Sequence, residues 1–69
     1  MDLNWENGFM IKVRIVKGSA VVSANREGLL SLSNHLRTLA EEPVGSHIHL
    51  DELNALEDGS DELILERID

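Results

Sequence analysis

The stretch Asn25-Arg26-Glu27-Gly28-Leu29-Leu30-Ser31-Leu32 opens the helical pattern on which the fold depends. Asn25 suits the N-cap position, because its side chain can accept a hydrogen bond from a free N–H of the first turn. Glu27 lies in that turn, where the helix dipole favours an anion. Apolar residues at helical spacing predict a buried stripe, made of Leu29, Leu32, Leu36, Leu39 and Ala40, with Ser31, Asn34, Thr38 and Glu41 opposite it. Pro43 and Gly45 end the helix.

A β-hairpin is predicted before the helix. Phe9, Ile11, Val13 and Ile15 alternate with more polar residues, which is typical of a half-buried strand. The turn Lys17-Gly18-Ser19 follows, and Gly supplies the positive φ that a tight hairpin requires. Residues 20–23 are then the returning strand.

A second pair of strands is predicted after the helix. In residues 46–50, Ile48 and Leu50 are expected to face the helix, and His47 and His49 to face away from it. Residues 51–58 form an acidic connection, either a loop or a short helical turn. A turn at residues 58–60 leads into a last strand over residues 62–68, whose unbroken apolar run Leu63-Ile64-Leu65 favours a central position in the sheet.

These elements predict an α+β fold with the order β-β-α-β-β. We expect a single-layer, mostly antiparallel four-stranded sheet with one helix packed on one face. With 69 residues there is room for one domain. Residues 1–8 are interpreted as a weakly ordered leader with Trp5 as its anchor, and residues 9–69 as the domain. Nothing is left over to cover the other sheet face, which carries Lys12, Arg14, Val16, His47 and His49.

The composition excludes several classes of protein. There is no Cys, so disulfides and thiolate metal sites are excluded. No apolar run approaches the roughly 20 residues that span a bilayer, so no membrane association is expected. The first eight residues lack the basic start and apolar centre of a signal peptide, which favours a cytoplasmic location.

The net charge of −7 is divided unevenly along the chain. Residues 1–40 carry five basic and three acidic residues, whereas residues 41–69 carry one basic and ten acidic residues, so the two segments stand at +2 and −9. A dense negative field repels phosphate backbones, and direct binding of nucleic acid is therefore not expected. The field would instead speed the encounter with a basic protein, although acidic residues can also serve solubility alone.

The run His47-x-His49-x-Asp51 is the one candidate metal site. Alternate side chains of a strand share a face, so two imidazoles and a carboxylate could converge on one ion such as zinc. However, residues 47 and 51 are roughly 13 Å apart on a strand, at about 3.3 Å per residue. The alternatives are ordinary histidines on a sheet face, or histidines that serve as contact residues or as a weak pH switch at an interface.

No other motif indicates catalysis or a cofactor. The helix start at Asn25 could hold an anion, but Glu27 argues against it. The acidic residues after Leu50 lack the spacing of an EF-hand loop. The sequence contains no nucleophile arrangement and no phosphate loop, so we expect a protein that is not an enzyme and has no cofactor.

Three stretches together resemble a family of bacterial immunity proteins from polymorphic toxin systems, the one catalogued as immunity family thirty-two. They are residues 25–32, residues 45–51 with the His-x-His strand, and residues 56–65, and the resemblance covers about residues 10–68. It implies a cytosolic antidote that binds a toxin domain and blocks it. It implies no catalytic residue.

Three hypotheses follow. The first is a toxin-neutralising protein that meets a basic toxin domain, often a nuclease, through an acidic patch; the partner-binding residues would be Asp51, Glu52, Glu57, Asp58 and Asp61, with His47 and His49 at the edge. The second is a metal-binding module or minimal hydrolase that uses His47, His49 and Asp51. The third is a homodimer without catalysis, paired through the open sheet face or an edge strand.

Overall fold

The computed structural model covers all 69 residues and places one helix between two β-hairpins. The elements are β1 (Ile11–Val16), β2 (Ser19–Ala24), α1 (Arg26–Ala40), β3 (His47–Leu50) and β4 (Leu63–Glu66). The predicted α+β class and the order β-β-α-β-β are confirmed. The single helix, α1, lacks the length and hydrophobicity of a membrane-spanning segment.

The first hairpin closes through the predicted turn. Strand β1 pairs antiparallel with β2 in a register that joins Val16 to Ser19 and leaves Lys17 and Gly18 as the loop. Both loop residues have positive φ, 50° at Lys17 and 82° at Gly18. Two such residues in succession form the hairpin turn whose twist matches that of the strands.

The predicted four-stranded sheet is wrong, because the strands form two separate two-stranded sheets, β1-β2 and β3-β4. The second edge of β1 is occupied by a loop: the N–H of Glu57 donates to Ile11 O (2.9 Å) and the N–H of Asp61 donates to Val13 O (2.8 Å). These irregular contacts use the backbone groups of β1 that would bond another strand, and β4 therefore pairs only with β3. The central position expected for β4 is therefore wrong as well, and Ile64 is half exposed.

The core lies between the helix and the inner faces of both hairpins. It consists of Ile11, Val13, Leu39, Ile48, Leu50 and Leu56. The predicted orientation of β3 is confirmed, since Ile48 and Leu50 are buried while His47 and His49 are exposed. Strand β3 thus places its two histidines on the outside of the molecule.

The helix buries a different face from the predicted leucine stripe. Its buried residues are Gly28, Ser31, His35 and Leu39. Leu29 and Leu36 are instead 55% and 52% exposed. Ser31, expected on the outer side, is fully buried because its hydroxyl accepts a hydrogen bond from Glu6 N–H at 2.8 Å. Most of the leucines of the helix therefore point to one open flank.

The N-terminal segment, residues 1–8, lies along the opposite flank of the helix. The ring of Trp5 stacks on Phe9 at 4.5 Å and meets the ring of His35 edge-on at 4.1 Å. Asn34 donates to Asn4 O and to the Glu6 carboxylate, at 3.2 and 3.1 Å. These contacts cover one side of the helix and leave the leucine side open.

The start of the helix is fixed by a cap and a close approach. As predicted, Asn25 is the N-cap, and its Oδ1 accepts from the N–H of Gly28 at 2.8 Å. The same oxygen accepts from the N–H of Met10 at 3.0 Å. A Cβ on Gly28 would lie 2.5 Å from Met10 O, so only glycine lets the helix sit this close to the hairpin.

Candidate functional site

The acidic residues singled out in the sequence lie in one connection, residues 51–62, here called the acidic loop. It leaves β3, crosses the free edge of β1 and enters β4. Asp51 shapes its first turn, since Asp51 Oδ1 accepts from the N–H groups of Leu53 and Asn54 at 2.9 and 3.1 Å. Asn54 Oδ1 accepts from Asp51 N–H in return, at 2.9 Å. Asp51 therefore organises the loop rather than projecting from it.

Two further carboxylates of the acidic loop are also engaged in the fold. Glu52 Oε2 accepts from the N–H of Gly59 at 2.8 Å, and Asp61 Oδ2 accepts from the N–H of Ile15 at 2.9 Å. The carboxylates of Glu57 and Asp58 take part in none of the protein's hydrogen bonds, and both residues are exposed. These two are the acids of the loop that are free to meet another molecule.

The negative charge of this region is hardly neutralised from within. The one ion pair of the protein joins His49 Nδ1 to Glu62 Oε2 at 3.3 Å, and it depends on protonation of the imidazole. Lys12 donates to the carbonyl of Asp58 and not to a carboxylate of the loop. Arg67, at the far end of β4, donates to the carbonyls of Glu42 and Asp69. The carboxylates consequently keep their attraction for an external cation.

His47 and His49 lie side by side on the outer face of β3. Their ring centroids are 4.8 Å apart, with the rings inclined at 67°. His47 Nδ1 lies 3.3 Å from Gly45 O, and His49 Nδ1 faces Glu62. No three His, Cys, Asp or Glu side chains are grouped so that they could hold a metal ion. The structure does not bring Asp51 to the two imidazoles, which leaves the predicted metal site without its third ligand.

Leu53 is a candidate contact residue that the sequence analysis did not identify. It lies at the first turn of the acidic loop, next to Glu52, and is 92% exposed. A leucine so exposed contributes nothing to the core, and its burial by a partner would remove apolar surface from water. The signal in the sequence is an apolar residue directly after two acids, in a turn capped by Asp51 and Asn54.

A second surface was predicted as core and is open in the structure. An apolar groove of about 480 Å³ lies between α1, β2 and β4. It is lined by Val22, Leu29, Leu32, Ser33, Leu36, Leu63 and Leu65. The groove exists because α1 buries the face with Ser31 and His35 and not the face with most of its leucines. It also exists because the two hairpins do not join into one sheet.

Comparison with known families identifies the protein's relatives. The sequence profile of the family described as Immunity protein 32 matches residues 19–68, which is 50 of the 69 residues. The protein belongs to the Immunity protein 32 family. The resemblance stated from the sequence is thereby confirmed, and the match includes β2, α1, β3, the acidic loop and β4. No curated protein and no solved structure matches the chain.

In this Immunity protein 32 member, the third histidine is separate from the acidic surface. His35 is fully buried in the helix face, and neither ring nitrogen has a hydrogen-bond partner. Burial lowers the pKa of His35 below its ordinary value of 6.5, because desolvation disfavours the charged imidazolium. His35 therefore belongs to the interior as a neutral side chain packed against Trp5.

Proposed function

We propose that this protein is a cytoplasmic antidote that neutralises a bacterial toxin domain by binding it, without catalysis, through the acidic loop. The proposed partner-binding site comprises Asp51, Glu52, Glu57, Asp58 and Asp61, some as direct contacts and some as supports of the loop, with His47 and His49 at the edge of the contact. The observation that carries the proposal is unneutralised negative charge: residues 41–69 have a net charge of −9, and only one ion pair forms in the protein. Membership of an immunity family supports the choice of a toxin as the partner.

Charge complementarity favours a basic toxin domain, such as a nuclease. A nuclease must hold the phosphates of its substrate, so its active-site cleft carries Lys and Arg side chains. An acidic loop with free carboxylates presents to that cleft the same kind of charge that the substrate presents. Long-range attraction between the two surfaces also raises the association rate, which favours capture of the toxin before it acts.

The five acids have two different tasks in this proposal. Glu57 and Asp58 reach the toxin directly, because their carboxylates are free and exposed. Asp51, Glu52 and Asp61 hold the loop in shape through bonds to backbone N–H groups. The rigid loop lets the two free carboxylates bind without a large loss of conformational entropy.

Leu53 completes the contact as its apolar anchor. Binding energy at protein interfaces is concentrated in a few buried side chains surrounded by a polar rim. Leu53 is the most exposed apolar residue of the acidic loop, and Glu52 lies next to it in the chain. Desolvation of Leu53 would supply affinity, while the acids supply orientation and speed.

The test is co-expression with a toxin C-terminal domain, which we expect a neighbouring gene to encode. Wild-type protein should restore growth and co-purify with the toxin. The double variant Glu57→Lys/Asp58→Lys should lose rescue, with Kd raised by at least about 100-fold, since truncation or reversal at an interfacial charge pair costs about 2–5 kcal/mol.

A matched control makes the same change in net charge elsewhere. Asp2→Lys/Glu41→Lys alters two exposed acids outside the acidic loop and should keep rescue and affinity within about threefold. Equal losses in both double variants would show that net charge alone matters, and retained binding in Glu57→Lys/Asp58→Lys would exclude the acidic loop as the site.

A further inference from the structure

Strand β2 has one edge without a partner. The N–H of Asn25 donates to Met10 O at 3.1 Å, so these two residues form a hydrogen-bonded pair that continues the β1-β2 ladder. Because such pairs alternate along antiparallel strands, the remaining bonds to β1 come from Ser23, Val21 and Ser19. The N–H and C=O groups of Ala20, Val22 and Ala24 therefore point away from β1, and no other segment pairs with them.

This edge lacks the usual protection against pairing. Edge strands of monomeric proteins commonly carry a charged residue, a proline or a bulge that prevents the addition of another strand. The sequence of β2 is Ser-Ala-Val-Val-Ser-Ala, without a charge or a proline, and its register with β1 is continuous over all six residues. The strand is thus suited to accept a further strand.

The free edge meets the apolar groove at Val22. The side chain of Val22, 40% exposed, is one wall of the groove, and Leu29 of the helix is another. Ile15 and Ala20 share the inner face of the hairpin with Val22 and are exposed as well. The hairpin therefore presents an unpaired backbone edge and an uncovered apolar face at one place.

We propose that a second copy of this chain pairs with β2, with a two-fold axis through Val22. Antiparallel pairing places Val22 opposite Val22 of the second copy and Ala20 opposite Ala24. In this register the residues with free N–H and C=O groups face one another, and each pair forms two N–H···O bonds. It also keeps the inner faces of both hairpins, and both helices, on the same side of a continuous four-stranded sheet.

The distribution of charge favours a second copy as the occupant. Two molecules of net charge −7 repel each other, so association is favoured where the acids are absent. Ten of the thirteen acids lie in residues 41–69, and β2 contains none. Pairing at β2 keeps the two acidic segments apart and leaves both acidic loops free. A basic partner would gain no charge attraction from this uncharged edge, so a second copy fits it better.

The apolar face supplies the area that the edge lacks. A six-residue edge about 20 Å long and about 10 Å thick offers only about 200 Å², whereas a stable interface buries about 800 Å² on each side. Gly28 packs against Ala24, so the pairing brings the first turns of each helix, with Leu29, beside the uncovered Ala20 of the other copy. Burial of Leu29, Val22 and Ala20 then adds to the backbone bonds.

Analytical ultracentrifugation of the full chain without toxin tests the proposal, independently of the function proposed above. Wild-type protein at 10–500 µM should sediment with about twice the mass of the 7.7 kDa chain. Val22→Lys should be monomeric, because two ammonium groups would meet at the axis, while circular dichroism verifies that it is folded. The control Ser23→Lys makes the same charge change on the outer face and should remain dimeric.

A charge-swap experiment tests the register. Val22→Lys and Val22→Glu should each be monomeric, and an equimolar mixture should form a 1:1 heterodimer, since only self-pairing of residue 22 brings the two charges together. A monomeric wild type over the whole range overturns the proposal. If, in addition, the variant Val22→Lys loses toxin binding, the edge accepts a strand of the toxin instead of a second copy.

Discussion

Asp61 is bonded to β1 at two points: its N–H donates to Val13 O at 2.8 Å, and its Oδ2 accepts from the N–H of Ile15 at 2.9 Å. One residue of the acidic loop thus does for β1 what a neighbouring strand does in a regular sheet. Ser60 adds a third bond, since its hydroxyl accepts from Val13 N–H at 3.1 Å. The shape of the acidic loop is therefore coupled to the stability of the first hairpin.

Replacement of Asp61 should destabilise the fold as well as the complex. Asp61→Ala leaves the N–H of Ile15 without its acceptor, and we expect a loss of about 1–2 kcal/mol in the free energy of unfolding, measured by urea denaturation. The control Asp58→Ala removes a carboxylate that takes part in no hydrogen bond and should change stability by less than about 0.5 kcal/mol. An equal loss in both variants would contradict the role given to Asp61.

The helix should not tolerate a side chain at position 28. Gly28→Ala forces a Cβ towards Met10 O, at 2.5 Å, and towards Ala24 and Ile11, both at 3.0 Å. Alanine is the better helix former by about 1 kcal/mol, but overpacking at a close approach costs about 1–3 kcal/mol. Thermal unfolding should therefore show a net loss in Tm, whereas Ser33→Ala on the exposed side should keep or raise it. A more stable Gly28→Ala protein would refute the close packing.

Stability should fall on mild acidification because of His35. Burial lowers the pKa of this imidazole, so below about pH 6.5 the unfolded chain binds a proton that the folded state does not. The contribution of the neutral His35 to the free energy of unfolding is fully present above about pH 6.5, and it is lost as the pH falls towards the lowered pKa of the folded state. Urea denaturation between pH 8 and 5.5 should show this slope in wild type and in His47→Gln. In His35→Met, stability should depend less steeply on pH. An unchanged pH dependence in this variant would show that groups other than His35 cause it.

The N-terminal segment should contribute to stability through Trp5. Its indole stacks on Phe9 and covers His35, so Trp5→Ala removes apolar contacts from one helix flank. The expected loss is about 2 kcal/mol, less than the roughly 3–5 kcal/mol of a fully buried tryptophan, because the ring is partly exposed. Leu53→Ala, in contrast, should be neutral in the free protein. If Trp5→Ala were equally neutral, the segment would be a loose leader.

Local signals in the sequence identified the elements but not their arrangement. The Asn25 cap and the alternation of Ile48 and Leu50 depend on neighbouring residues, and both are predictable. The orientation of the helix depends on contacts with distant residues: Ser31 is buried by Glu6 and His35 by Trp5. Hydrophobic periodicity cannot reveal that a serine and a histidine have such partners.

The division of the sheet has the same kind of cause. The free edge of β1 is filled by side-chain and backbone bonds from Ser60 and Asp61, which leave no periodic pattern in the sequence. The exposure of the acidic loop is easier to predict, since acidic residues of a loop are exposed in most folds. What could not be foreseen is which of them are free, because the bonds of Glu52 and Asp61 exist only in the folded loop.

Amide chemical-shift mapping of the ¹⁵N-labelled protein, titrated with the toxin domain that we expect a neighbouring gene to encode, tests the central proposal most directly. We expect the largest shifts in residues 51–62, with Leu53, Glu57 and Asp58 most affected, and smaller shifts at His47 and His49. Shifts confined to α1 and β2 would contradict the proposal, as would a toxin that causes none at concentrations at which the protein protects cells.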